Sequence, residues 1–239
     1  MKISLLGYGK MGKTIEKIAL QHGHEIVFKI NRENLDDLLK INHTNTDVAI
    51  EFSMPEAAVS NLKHCLLNGV PVVCGTTGWL ELWDEISQLC KDNDGAFLYA
   101  SNFSLGVNIF FSLNKYLSKM MSGFPQYKVS IEEIHHTQKL DAPSGTAISL
   151  ANDIIQTHSV YTAWEKETAT NDDKIAITSI RTDPAPGTHT IRWNHPIDTI
   201  EIRHTAHSRE GFALGAVLAA EWIIGKKGTL TMQEMLGFV

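Results

Sequence analysis

Cysteine is scarce in this chain. Its three residues, Cys65, Cys74 and Cys90, show no CxxC spacing and an odd count, which excludes a disulfide framework and leaves no zinc-ligand pattern among them. They read as reduced, mostly buried thiols. Excess positive charge is also lacking: 21 Lys and Arg stand against 27 Asp and Glu, a formal net charge of -6. Nothing electrostatic therefore points to nucleic acid or to an anionic membrane surface. Long hydrophobic runs are missing too. The opening MKISLL is too short for a signal peptide, and GFALGAVLAAEWIIG at 211–225 is short and interrupted by Glu221. There is no internal repeat and no low-complexity linker. What remains is a 239-residue chain whose apolar fraction of 43% suffices for a sizeable core. The expectation is a soluble cytoplasmic protein of one large or two modest domains, with a small molecule as partner.

Patterned segments fill the chain. ISLL at 3–6 leads into GYGKMG, and KTIEKIALQHG follows with apolar Ile15, Ile18 and Ala19 before ending at Gly23. EIVFKI at 25–30 completes a strand, glycine turn, helix, strand unit. The alternation continues with a strand at 48–52, a helix with Ser53 as N-cap candidate and Pro55 in its first turn, and a strand at 70–74. A helix at 80–93 and a strand at 96–100 follow. Short aliphatic strands, each followed by an amphipathic helix, predict a Rossmann-like doubly wound parallel sheet to about residue 103. The pattern then changes: a helix at 106–123, a strand at 126–134, a helix at 144–157, then strand-like segments near 175–182, 188–193 and 197–204. Successive strands without intervening helices predict an α+β second domain on a mixed or antiparallel sheet. The last apolar helix is expected to return to the first domain, giving domains of 1–103 plus about 212–239, and 104–211.

Three features of the first domain suit a dinucleotide. Gly7, Gly9 and Gly12 form GxGxxG between a strand and a helix, where glycines permit a tight turn and the helix start offers amides to a pyrophosphate. The second strand ends in KINREN, without a carboxylate at its tip. Arg32, with Lys29, can accept a 2'-phosphate, while Glu33 can fold back to serve as the missing acid. CGTTGW at 74–79 and ASNFSLG at 100–106 are small, polar strand ends of the kind that receive ligands in such sheets.

The densest chemistry lies in EEIHHTQKLDAPSGTA, residues 132–147. A strand end delivers His135 and His136, and since successive strand side chains oppose each other, the two have different jobs. Histidine titrates near neutrality and suits proton transfer; Lys139 supplies a cation or a second proton donor. Adjacent histidines without ligand-spaced Cys or carboxylates predict no metal. Asp141 or Ser144 can cap the next helix, Pro143 fits its first turn, and Gly145 and Thr146 expose amides to an anion. Arg181, His189, Arg203, His204, His207 and Arg209 are further candidates to complete an acidic-substrate pocket, or else are edge and interface charges. These residues suit reduction of a dicarboxylate, dehydrogenation of another small acid, or a nicotinamide-binding sensor without catalysis.

On the glycine turn, on CGTTG, on ASNFSLGVN at 100–108 and above all on EEIHHTQKLDAPSGTA, the chain resembles the dihydrodipicolinate reductase family over nearly its whole length. The resemblance implies NAD(P)H-dependent reduction of 4-hydroxy-tetrahydrodipicolinate in diaminopimelate and lysine biosynthesis, with hydride added at C4 and a proton at C3. It implies His135 as proton donor and Lys139 as second donor, with His136, Gly145 and Thr146 holding the substrate carboxylates. The cofactor, NADPH or NADH, would lie on Gly7, Tyr8, Gly9, Lys10, Met11 and Gly12, on Asn31 and Arg32, on Gly75, Thr76 and Thr77, and on Ala100, Ser101, Asn102 and Phe103. It also implies a homotetramer built through the second domain. Asn31 stands where many members have an acid, and the chain is compact after residue 33.

Overall fold

The computed structural model describes residues 1–208 and 210–238. The chain divides into two compact units, Met1–Leu105 with Glu210–Val239, and Gly106–Arg209. The first unit runs β1 (Lys2–Leu6), α1 (Lys10–Gln21), β2 (Glu25–Ile30), β3 (Val48–Glu51), α2 (Pro55–Leu67), β4 (Val72–Cys74), α3 (Trp83–Asp92) and β5 (Ala96–Tyr99). The second holds α4 (Leu105–Met121), β6 (Lys128–His135), α5 (Gly145–Thr157), β7 (Ala163–Lys166), β8 (Lys174–Arg181), β9 (Gly187–Asn194) and β10 (Thr199–Ala206). The chain then returns to the first unit with α6 (Glu210–Ile223), β11 (Gly228–Leu230) and α7 (Met232–Met235).

The first unit is the expected parallel sheet, six strands in the order β11-β5-β4-β3-β1-β2, every pairing parallel. Its inner strands need no polar face, because neighbouring side chains enter two different cores. Leu5, Ile50 and Val73 pack with α1 and α6 on one side, and Leu6, Ala49 and Val72 pack with α2 and α3 on the other. Gly215 of α6 lies so close to the chain at Phe103 that a Cβ there would meet its carbonyl oxygen at 1.7 Å. The small residues of this apolar helix thus permit close packing.

The second unit carries a mixed five-stranded sheet, β10-β9-β6-β8-β7. β6 runs antiparallel to β9 and parallel to β8. Along β6, Val129, Ile131, Glu133 and His135 are buried in alternation with less buried neighbours. The first two join the apolar core under α4 and α5. The last two carry the same face onward as polar chemistry.

Local details differ from expectation. Met54, not Ser53, is the N-cap of α2, and the Ser53 hydroxyl instead donates to Glu51. The segment 80–93 opens with a 3-10 turn at Leu80–Leu82 before α3. β7, β11 and α7, of four, three and four residues, are too short for periodicity to reveal.

Candidate active site

Each glycine of the turn after β1 has its own reason. Gly7 has φ 98°, and a Cβ there would lie 2.1 Å from the Phe52 carbonyl oxygen. A Cβ on Gly12 would meet the Gly7 oxygen at 2.4 Å, so glycine lets α1 pack on the turn. Gly9, the N-cap of α1, faces open space and brings no capping side chain. The helix start therefore has no side-chain cap, and Lys10 and Met11 begin α1. The turn borders a cavity of about 720 Å3, whose lining includes Gly7, Gly9, Asn31, Arg32, Glu33 and Glu56, within the range of small-molecule sites.

Around this cavity the expected cationic pair separates. Lys29 pairs with Glu16 at 2.5 Å and lies over the Tyr8 ring at 5.2 Å, while the Tyr8 hydroxyl donates to the same carboxylate. Arg32 rests against the Met54 sulfur, and among the described residues no carboxylate pairs with it. Asn31 is used in the turn: its Oδ1 accepts the Glu33 amide at 2.7 Å.

The two loops from β4 and β5 meet Phe52. A Cβ on Gly75 would strike the Phe52 ring at 2.2 Å, and Phe103 is buried with its ring 5.5 Å from it. The Thr76 hydroxyl accepts the Ser53 amide at 2.8 Å and its carbonyl accepts the Trp79 indole at 2.7 Å, whereas Thr77 is exposed. Ala100 donates its amide to Cys74 at 3.2 Å. Ser101 is exposed, and Asn102 Oδ1 accepts the Ser104 amide. Thr76 and Phe103 thus serve the frame of the site. Beneath it lies Glu51, wholly buried, which takes bonds from Ser53, from Asn61 at 3.2 Å and from the Cys74 thiol at 3.2 Å. Burial first, then the charge of Glu51, pushes the Cys74 thiol well above its ordinary value.

In the second unit a carboxylate that sequence reasoning passed over is the hub. Glu133, with no exposure, accepts the Ser144 amide at 3.0 Å, the Ser179 hydroxyl at 2.8 Å and Arg181 Nη2 at 2.9 Å on one oxygen. Its other oxygen lies 3.0 Å from His135 Nδ1, an ion-pair distance but off the line of a good hydrogen bond. Burial opposes ionisation, but His135 beside it and the donors Ser144, Arg181 and Ser179 outweigh it and hold this carboxyl well below the usual range. His189, opposite Glu133 on β9, stands edge-on to His135 with ring centroids 5.0 Å apart. Burial, then the charge of His135, pushes its pKa down to about 4. The Glu133, His135 and His189 ligand atoms lie within 4.8 Å of one another, yet the Arg181 guanidinium already on the carboxylate disfavours a second cation there.

The loop after β6 is clasped at several points. Arg181 Nη2 donates to the Asp141 carbonyl at 2.7 Å, and Thr137 donates to Asp183. Lys139 Nζ reaches both Asp141 oxygens at 2.8 Å. Asp141 is therefore a lysine partner and not the cap. Ser144 caps α5, its hydroxyl accepting the Ala147 amide at 3.2 Å and contacting His189 Nε2 at 3.1 Å. Pro143 precedes the cap and lies outside the first turn. Among the described residues nothing accepts from the Gly145 and Thr146 amides, and Gly145 faces open space. His136 is half-buried, away from the Glu133 face. Arg181 and His189 join the cluster. Arg203 and His207 are exposed, and His204 packs near Phe110 at 6.0 Å. Arg209 lies outside the described residues.

A parallel sheet whose glycine turn leaves a helix start open to a cavity is the architecture of a dinucleotide-binding unit. The second unit sets the cluster of Glu133, His135 and His189 close to the start of α5, and the class that fits this fold and these residues is an NAD(P)-dependent oxidoreductase. The chain belongs to the dihydrodipicolinate reductase family: residues 1–103 match the family's N-terminal model and 106–236 its C-terminal model. It is 52% identical over 238 residues to the 4-hydroxy-tetrahydrodipicolinate reductase of Christiangramia forsetii, covering 99% of this chain and 98% of that one. The corresponding reductase of Methanocaldococcus jannaschii is 34% identical over 98% of this chain and 81% of its own length. Among solved structures, the dipicolinate-bound dihydrodipicolinate reductase from Paenisporosarcina sp. TG-14 superposes with a TM-score of 0.78 at 25% identity, covering 98% of both chains. The activity is 4-hydroxy-tetrahydrodipicolinate reduction in lysine and diaminopimelate biosynthesis.

Proposed function

We propose that the chemistry centres on His135 and the loop that follows it. Loss of water from the 4-hydroxy substrate gives a conjugated cyclic imine, and a reduced nicotinamide held at the glycine turn would supply the hydride that adds to its C4. Addition leaves an enamine, and His135 delivers the proton to C3. Lys139 is the second proton donor and a cation beside the substrate. His136 and the open amides of Gly145 and Thr146 hold the carboxylates at the positive end of α5. The observation that carries this reading is a histidine 3.0 Å from a buried carboxylate and followed within a few residues by a helix start whose Gly145 and Thr146 amides have no acceptor among the described residues.

Both NADPH and NADH serve as cofactor. Arg32, without a carboxylate partner among the described residues, suits a 2'-phosphate, while Glu33 and Glu56 on the same cavity suit a free ribose hydroxyl. Residues 1–103 with about 212–239 bind the dinucleotide, and 104–211 bind substrate and build a homotetramer. The exposed edge strand β10, with Ile200 on it and Ile197 just before it, supports assembly there. The protein works in the cytoplasm. No helix among the described residues is long and apolar enough to cross a membrane.

The test is oxidation of NADPH and NADH with enzymatically generated 4-hydroxy-tetrahydrodipicolinate. Substrate-dependent oxidation of both is expected. Turnover of a 2-oxo acid in place of the cyclic imine would overturn the assignment.

A further inference from the structure

We propose that Glu133 and Gly187 are positioning residues for His135: the carboxylate holds Nδ1, and the missing side chain keeps Nε2 open to the substrate. The inference rests on the reading of His135 as proton donor. Glu133 is fixed before any ligand arrives, because three donors from β8 and the start of α5 hold its other oxygen: Ser179, Arg181 and the Ser144 amide. A carboxylate so anchored, 3.0 Å from Nδ1, sets a fixed negative charge beside that nitrogen and favours the neutral tautomer with its proton there. It also stabilises the imidazolium that must exist before a proton is donated.

The second nitrogen faces Gly187, the first residue of β9. An ideal Cβ built on Gly187 lies 3.1 Å from His135 Nε2 and 3.3 Å from Cδ2, closer than ordinary packing allows. Any other residue would crowd the atom that donates. One side of the ring thus faces a fixed carboxylate and the other a residue without a side chain, and both observations select Nε2 as the atom that donates.

The charged and titratable groups facing the ring are few. Arg181 comes from β8 and His189 from β9, with His204 of β10 beyond it, and Lys139 and Asp141 come from the loop. Burial keeps His189 neutral near pH 7. Arg181 is engaged by Glu133 and the Asp141 carbonyl, and Lys139 by the Asp141 carboxylate. Glu133 is accordingly the carboxylate that faces Nδ1 of His135 directly.

Glu133→Gln and Gly187→Ala separate the two roles. Glutamine keeps the size and can still accept from Arg181, but it turns an amide donor toward Nδ1. We expect kcat to fall roughly tenfold or more, within the range general acid catalysis supplies. The alkaline limb of the kcat profile should move to lower pH, because the imidazolium has lost its counter-charge. Gly187→Ala should lower kcat without moving that limb, and neither variant should change dinucleotide affinity. Nitrogen-15 spectra of the wild-type enzyme provide a readout that needs no variant: neutral His135 should carry its proton on Nδ1, and a proton on Nε2 overturns the proposal. If His135→Gln keeps wild-type turnover, the reading of His135 falls and this inference with it. If His135→Gln is inactive while Glu133→Gln keeps the wild-type pH limb, this inference alone falls.

Discussion

Lys139 shows how much one side chain can be asked to do. It sits on Asp141 with two contacts at 2.8 Å, an arrangement that parks the cation near the strand end and is weak enough at a partly exposed position to open for a substrate carboxylate. Lys139→Ala should therefore lower kcat and raise KM for the imine together; steady-state kinetics with both constants unchanged would make the lysine structural only. Arg32, against Met54 and without a carboxylate partner among the described residues, makes a different prediction. Arg32→Ala should raise KM for NADPH by roughly ten- to a hundredfold, the worth of a charge-assisted contact, and leave NADH little changed. Equal effects on both cofactors would remove it from the 2'-phosphate. At this scale the sequence was most legible where residue type alone speaks, as with adjacent His135 and His136. It was least legible for Glu133, because that acid stands third in the inward series Val129, Ile131, Glu133, His135 and was read only as part of a strand. The signal was present: an acid on the buried face of an alternating strand needs partners. Its partners Ser144, Ser179 and Arg181 are 11, 46 and 48 residues away, and no local pattern names them.

Elements differ in legibility for a similar reason. The parallel strands announce themselves as aliphatic runs since both faces are covered, and α1 and α5 show clear apolar spacing. Capping was harder to read, because Asp141 and Ser144 are both good cap residues and only the packing decides between them. Ser144 wins because its amide is drawn to Glu133 while its hydroxyl reaches Ala147 and His189. Ser144→Ala should cost about 1 kcal/mol through the lost cap, seen as a fall in melting midpoint of about 2 to 4 °C for a chain of this size. An unchanged midpoint would mean that the hydroxyl bonds contribute nothing. Short elements such as β11 and β7 escape sequence reading altogether, since their existence depends on β5 and β8 offering an edge.

For the whole molecule, the buried groups His189 and Glu133 contribute to the response to acid. The pKa of His189 falls on folding from an ordinary 6.5 to about 4, so between those values the unfolded chain binds a proton that the native state refuses. Stability is full above 6.5 and is lost as pH falls toward 4, on the order of 3 kcal/mol from this group. Glu133 is depressed below its ordinary 4.5, so its contribution is present above that value and is lost at lower pH, in the same direction. Urea midpoints should drop between pH 7 and 4, and more shallowly in His189→Gln; an equal slope in the variant would contradict the role given to burial. The fold as a whole, a parallel sheet followed by a mixed one, was legible from the order of strands and helices. The polar network joining β6, β8, β9 and α5 was not, because it forms only when distant segments pair. The most direct test of the central claim is turnover of the His135→Gln enzyme with enzymatically generated 4-hydroxy-tetrahydrodipicolinate and NADPH. The account predicts a loss in kcat of roughly two to four orders of magnitude with NADPH affinity nearly unchanged, and a kcat close to wild type would contradict it.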